Sequence, residues 1–354
     1  MAEEDKFRGA LAGCVSGDAL GYPLQSFSVG RIQRKFGPFG LRTLVRDAKN
    51  GKKAPVSDNT QMVLATIDGI LWAGAKKLDV VDGMYRGFMR WFYSQTGEEP
   101  RAGQRTWMRR QSHEHEFCLV REKFMHARRN PEEGILNAFS QDAKGSLRIK
   151  VNDSKGSGAL TRAVPIGLIL AGDEKLAFDT AVNAAALSHS NPVAYYSAGA
   201  LAALMSCLMY GMTLPKAIER AEALLEKLHK TNTILSLLAA AKEKANNQPA
   251  GRSGTWDHVE AIAALGSGNQ ADEALAIAVY TVLAVDDPLD ALIVGANHSG
   301  RSHTTAALVG AIEGVRFGNG FMPDYWKGIL EGEEALSFLT DKLYYVYKKY
   351  HPGK

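Results

Sequence analysis

The chain has 354 residues, of which 45% are hydrophobic and 23% charged. That is enough apolar material for a sizeable core, in one large domain or two ordinary ones, and it excludes a mainly disordered chain. The net charge of +4 is small and does not call for a nucleic-acid partner. No run of about 18 or more wholly apolar residues occurs, so no membrane-spanning helix and no membrane partner are expected. The opening Met1–Lys6 is acidic and polar, unlike a secretory signal. Cys14, Cys118 and Cys207 are far apart and odd in number. They suggest neither a disulfide framework nor a metal-ligand spacing, and they suit a reducing, cytoplasmic compartment.

In chain order, the first notable segment is Gly17-Asp18-Ala19-Leu20-Gly21-Tyr22-Pro23-Leu24-Gln25. An aspartate at the end of an apolar, small-residue helix is costly to bury unless it is paired. The plainer reading is a helix end capped by Gly21. Leu41–Val45 is too short to assign. Ser57-Asp58-Asn59-Thr60 precedes a helical pattern over Thr60–Trp72. One such residue suffices for an N-cap, so the further oxygens either cap or face a ligand at the positive end of the helix dipole. A second amphipathic helix spans Leu78–Phe92.

Between Arg101 and Arg129 lie eight basic residues, among them Arg109 and Arg110, interleaved with Trp107, His113, His115 and Phe117. They read either as a solvated helical face partly neutralised by Glu114, Glu116 and Glu122, or as a patch for an acidic partner. The His113–Glu116 run puts its histidines two apart, on different helix faces, which argues against a metal site. Asn152-Asp153-Ser154-Lys155-Gly156-Ser157-Gly158 is a polar, flexible loop feeding a helix start. It is either an ordinary capped linker or a loop whose backbone N–H groups favour anions such as phosphate.

Buried-type helices follow at Ala181–Ala186, Ala194–Tyr210, Leu214–His229, Ala271–Ala284 and Leu289–Gly295, with a surface loop over Asn246–Thr255. Pro192, Pro215, Pro288 and Pro323 fit helix first turns. Asn297-His298-Ser299-Gly300-Arg301-Ser302-His303-Thr304-Thr305 leads into a helix over Ala306–Phe317. Gly310, Gly314 and Gly318 recur every fourth residue there, so one helix stripe has no side chain and another backbone can approach it closely. With strands scarce and no fixed repeat, the fold class is all-α, one domain over 1–354 with more than ten helices.

The segments at Gly17, Ser57, Asn152 and Asn297, in this order and with Ala185–Pro192 and Glu273–Ala278 between them, resemble the ADP-ribosylglycohydrolase family across nearly the whole chain, from Phe7 to about Trp326. The resemblance implies a compact, orthogonal multi-helix domain with a cleft for ADP-ribose and, usually, a pair of Mg²⁺ ions. In the family those ions are held by a Ser/Thr-Asp-Asp triplet before one helix and by Asp-x-Asp-Ser/Thr before another, and a glutamate sits close to the same site. Mg²⁺ requires hard oxygen ligands. Here Ser57, Asp58 and Thr304 match, whereas Asn59, Gln25, Arg301 and His303 stand where carboxylates are expected. Gln25 and Asn59 are isosteric with Glu and Asp, as deliberate inactivation would choose, but Arg301 and His303 are not. These replacements make the site more positive by about five charges, and a guanidinium offers only donors and repels a divalent ion. The resemblance therefore implies a degenerate metal site with no magnesium cofactor, Arg301 filling the space of an ion and pairing with Asp58.

Two functions follow. One is a hydrolase of altered mechanism, with Asp58 or His303 as base, Arg301 as electrostatic substitute, and Asn59 and Gln25 at the reacting centre. The other is a pseudoenzyme that binds ADP-ribose, an ADP-ribosylated substrate or a protein partner without cleavage. In both, the ligand-binding set is Asp18, Ser57, Asn152, Ser154, Lys155, Gly156, Ser157, His189, Ser299, Gly300, Ser302 and Thr304.

Overall fold

The computed structural model describes residues 1–108, 113–248 and 254–351. Arg109, Arg110 and the centre of the Asn246–Thr255 loop lie outside the described residues, as does the side chain of Trp107. Among the described residues there is no strand, only isolated bridges, and Leu41–Val45 is irregular.

Local chemistry starts most helices where the sequence suggests. Ser57 caps Asp58–Lys76 by accepting from the Asn59 N–H. Asp79 caps Val80–Thr96, and Asn191 caps Pro192–Tyr210. Asp287 caps Pro288–Ala296. The proline expectation holds at Pro192, Pro215 and Pro288. Pro323 instead precedes a single 3-10 turn, Asp324–Trp326. The helix expected over Leu214–His229 stops at Leu225, and a polar turn follows. Helix Pro192–Tyr210 is long and apolar enough to cross a bilayer by composition, although Tyr195, Tyr196, Ser197 and Ser206 interrupt its apolar run. It lies largely buried in the core, against Glu174–Ala186 and Ala163–Ile169.

The central contact joins helix Glu3–Gly21 to helix Ser302–Phe317. The small-residue stripe on the second helix meets an equal stripe on the first, at Gly9, Gly13, Gly17 and Gly21. A Cβ placed on Gly13 would lie 2.1 Å from the Gly310 carbonyl oxygen, and one on Gly310 would lie 2.0 Å from that of Gly13. Gly314 faces Gly9 in the same way, Gly17 faces Ala306, and Gly21 faces Ser302 and His303. As one number rises the other falls, so the helices run antiparallel, backbone against backbone. Gly21 is therefore not the left-handed cap expected of it. Its φ is −79°, the chain continues into the turn Tyr22–Leu24, and it lacks a side chain because His303 leaves no room. Around this pair, Asp58–Lys76 packs on Val80–Thr96, Asn232–Asn246 on Ala271–Ala284, and the final helix Glu333–Tyr350 closes over Asp58–Lys76. One hydrophobic core runs from Phe7 to Tyr347.

The expected basic patch is partly neutralised. Arg101 meets Asp142, Arg128 meets Glu133, and Arg129 meets Glu331 at 2.6 Å. His113 and Glu116 hold each other, and Glu116 pairs with Lys342 of the last helix, so this run docks the chain end.

The glycine seam makes a prediction of sign. Gly310→Ala forces backbone apart and should lower stability by about 3 kcal/mol or more. Gly74→Ala, at a helical position with nothing within 4 Å, should raise it by about 0.5–1 kcal/mol. Denaturant unfolding of the two variants checks this, and equal effects would contradict the seam.

Candidate functional site

The seam ends where the polar segments meet. Because Gly21 lies against Ser302 and His303, the end of the first helix, the start of Asp58–Lys76 and the start of Ser302–Phe317 converge. Asp18, fully buried, ties the first two together. Its carboxylate accepts from the Ser57 N–H (2.8 Å), the Ser57 hydroxyl (2.5 Å) and the Thr60 hydroxyl (2.6 Å). Burial raises its pKa against those bonds. All the polar capacity of Asp18 and Ser57 is thus spent inside the protein, and both hold the site rather than face a ligand.

Asn59 joins the second helix start to the third. Its Nδ2 donates to Thr304 Oγ1 at 2.9 Å, and its Oδ1 accepts from Thr161 at 3.5 Å. Asp58 differs from all these. It is 1% exposed, and neither carboxylate oxygen has a hydrogen-bond partner. Burial pushes its pKa up to about 7; Arg301 pulls it down, while Asp18 and Glu132 push it further up. The expected Asp58–Arg301 ion pair does not form: no N–O contact within 4 Å joins them among the described residues. Arg301 instead stands at the helix N-cap and lines the open cleft, so its attraction reaches Asp58 through space. His303 is fully buried, neither ring nitrogen is partnered, and its ring packs edge-on against Tyr22, a cleft residue. Burial, then Arg301 and His298, hold its pKa well below the ordinary value, so it is neutral at pH 7.

The cleft, about 790 Å³, is bounded by Tyr22, Gln25 and Ser26 on one side, Arg128, Asn130 and Glu133 on another, and Asn269, Gly300 and Arg301 on a third. Gln25 Oε1 accepts from Asn130 Nδ2 across it at 3.3 Å. Gly300 reaches this wall with φ +119° and its Cα against the Ser267 carbonyl, where no side chain fits. Ser299 Oγ accepts from the Val29 N–H, and Ser302 Oγ donates to the His298 carbonyl, so both hydroxyls are structural.

The 152–158 loop corrects the anion expectation in an instructive way. Its donors already hold an anion, the carboxylate of Glu132. Ser154 Oγ donates to Glu132 at 2.7 Å and the Gly158 N–H at 3.2 Å. A Cβ on Gly156 would lie 2.0 Å from the same carboxylate. The Gly156 N–H is taken by Ser154 and the Ser157 N–H by the Asn269 carbonyl. Asn152 spends its amide on the Gly134 and Ser188 carbonyls and on the Ser154 and Ser190 N–H groups. The Lys155 side chain is exposed, while Ser157 is buried with its hydroxyl unpartnered.

His189, expected from the sequence to meet a ligand, contacts Glu132 through Nε2 at 3.3 Å, while its Nδ1 faces Ser188 Oγ and Arg162. Those two donors make Nδ1 the acceptor, so Nε2 carries the hydrogen toward Glu132. Burial pushes the Glu132 pKa up, but His189, the Ser154 hydroxyl and Arg301 together hold it far below the usual carboxylate range.

Sequence reasoning missed Glu132 and Arg162. Arg162 is fully buried, lies over the Phe88 ring, and leaves Nε and Nη1 unpartnered. Burial lowers its pKa to about 10, against the pull of Glu132 and Asp58, so it stays charged. A lone arginine in the apolar run Ala159–Ile169 was a usable signal. For Glu132, between Pro131 and Glu133, there was none.

Asp58 and Glu132 should shift stability with pH in opposite directions. The folded form binds a proton at Asp58 that the unfolded chain has released, so this contribution is full below about pH 4 and lost as pH rises to about 7. Asp58→Asn should thus raise the melting temperature at pH 8 and leave it nearly unchanged at pH 4. Glu132 stabilises above its unfolded pKa of about 4.3 and loses that contribution as pH falls. Glu132→Gln should flatten the acid limb of the melting curve and lower stability at pH 7. Thermal melts across pH 3–9 read both, and parallel curves would refute the assignment.

Two comparisons with other proteins bear on this geometry, and a third defines the family. A solved structure described as an ADP-ribosylglycohydrolase-related protein complex superposes with a TM-score of 0.66, covering 98% of this chain and 99% of that one at 18% identity, which shows a shared fold. An uncharacterised protein of Archaeoglobus fulgidus is 24% identical over 350 residues, 98% of each chain. The family model for ADP-ribosylglycohydrolase matches residues 1–352. The chain belongs to the ADP-ribosylglycohydrolase family.

Proposed function

We propose that this protein binds an ADP-ribosyl group in the cleft between Tyr22–Ser26 and Arg128–Glu133, and does so without magnesium. The observation that carries this reading is the 2.9 Å bond from Asn59 Nδ2 to Thr304 Oγ1. Family-type metal binding needs oxygens from both helix starts turned toward an ion. Here an amide donor fills the gap and takes the threonine lone pair. The remaining donors fit Mg²⁺ no better. Ser57 is committed to Asp18 and the Asn59 N–H, Glu132 to its loop, and Asp58 is the one uncommitted carboxylate among these residues. Arg301 and Arg162 add positive charge to the same neighbourhood.

Cations on the cleft wall suit an anionic ligand instead. Arg301 and Arg128 would meet the diphosphate, with Gln25, Asn130 and Asn269 supplying amides for the ribose and base. Calorimetry with ADP-ribose in chelator and again in millimolar Mg²⁺ tests this. We expect equal affinity in both, and a tenfold or greater gain with Mg²⁺ would overturn the metal-free reading. Arg301→Asp, His303→Asp, Asn59→Asp and Gln25→Glu together should create magnesium binding that the natural chain lacks.

A second reading, cleavage of the ADP-ribosyl bond, is favoured by one observation. A buried carboxyl with a pKa of about 7 is poised to exchange a proton near neutrality. Release of ADP-ribose from modified arginine or serine peptides in chelator separates the two. A rate that rises through pH 7 and vanishes in Asp58→Asn supports the hydrolase, and binding without release supports the pseudoenzyme.

A further inference from the structure

One exposed stretch of this chain carries a large net positive charge. Between residues 31 and 53, the helix Val29–Phe36 carries Arg31, Arg34 and Lys35, the loop after it Arg42 and Arg46, and the turn that ends it Lys49, Lys52 and Lys53. Asp47 is the single acidic residue of the stretch. Eight cations less one carboxylate leave +7 here, so the rest of the chain, against a total of +4, sums to −3. All eight side chains belong to exposed residues. Arg42 pairs with Asp290 and Lys53 donates to the Gly328 carbonyl, while the other six make no ion pair among the described residues. Asp47 caps a turn by accepting from the Lys49 N–H, and so neutralises little.

The stretch is anchored beside the cleft. It leaves the wall at Gln25 and Ser26, and its helix is pinned at the Val29 N–H to Ser299 Oγ, one residue from cleft-lining Gly300. It also displays aromatic faces among the cations. Phe39 is 68% exposed at the tip of the Gly37–Phe39 turn, and the Arg31 guanidinium lies 3.8 Å over the half-buried Phe27 ring. An exposed ring, here Phe39, among cations without ion pairs is what a single-stranded nucleic acid uses, through base stacking and phosphate neutralisation together. An acidic protein segment needs only the cations.

We propose that the 27–53 segment is a binding surface for single-stranded nucleic acid, set against the mouth of the cleft. The proposal goes beyond the ADP-ribosyl reading and stands on separate observations. It revises the expectation from net charge, because a small total conceals a polarised distribution.

The test is fluorescence anisotropy of a labelled oligothymidylate with the full chain across a salt series. With six unpaired cations engaged, log K should fall with log salt at a slope of about −4. Replacing Arg31, Arg34 and Lys35 together by Glu should weaken binding at least tenfold and make the slope shallower by about 2. Phe39→Ala, which leaves the charge intact, should weaken binding about fivefold or more with the salt slope unchanged. No oligonucleotide binding by the natural chain, or binding that the triple variant leaves intact, overturns the proposal. An oligonucleotide affinity indifferent to Phe39→Ala would assign the surface to an acidic protein instead and likewise overturn it. ADP-ribose calorimetry on the same variants reads the cleft independently, so failure of one proposal is distinguishable from failure of the other.

Discussion

Two helix backbones in direct contact organise this fold. Because Gly9, Gly13 and Gly17 meet Gly314, Gly310 and Ala306 with no side chain between them, the helices Glu3–Gly21 and Ser302–Phe317 are locked at short range. Dispersion and close packing act along the whole contact, and any added methyl group falls on backbone rather than on a side chain that can turn aside. The polar site is a consequence. At the end of the seam, Gly21 sets Tyr22 against His303 and leaves Asp18 within reach of Ser57 and Thr60.

From that scaffold the site acquires an unusual division of charge. Two carboxylates sit close enough to influence one another, and their surroundings drive them apart. Glu132 is wrapped in donors and stays ionised, whereas Asp58 is buried without any and holds its proton up to about neutrality. Arg301 at the cleft wall and Arg162 in the interior balance them without a direct ion pair to either among the described residues. The site thus combines cations, amides, a protein-solvated carboxylate at Glu132 and an unpartnered carboxyl at Asp58.

Much of the architecture was legible from periodicity and caps, because helix-forming patterns and N-cap chemistry are local. The stripe at Gly310, Gly314 and Gly318 announced a close partner, but its identity required the equal spacing at Gly9, Gly13, Gly17 and Gly21 to be read as the complement. The convergence of Asp58, Asn59, Arg301 and Thr304 was legible only through family resemblance, since these residues lie far apart in sequence. Their bonds were not legible at all. Whether Arg301 touches Asp58, or Asn59 touches Thr304, is set by a few ångströms of backbone placement. Glu132 was invisible for a related reason: a glutamate beside a proline at a helix start looks like ordinary dipole compensation.

The occupied loop at 152–158 changes what recognition means there. A tethered carboxylate is present at an effective concentration that no free solute easily matches. Any phosphate reaching Ser154 and Gly158 would have to displace Glu132, and its affinity would be the difference between guest and resident. Selectivity at such a loop is set by how well a newcomer outcompetes the protein's own side chain.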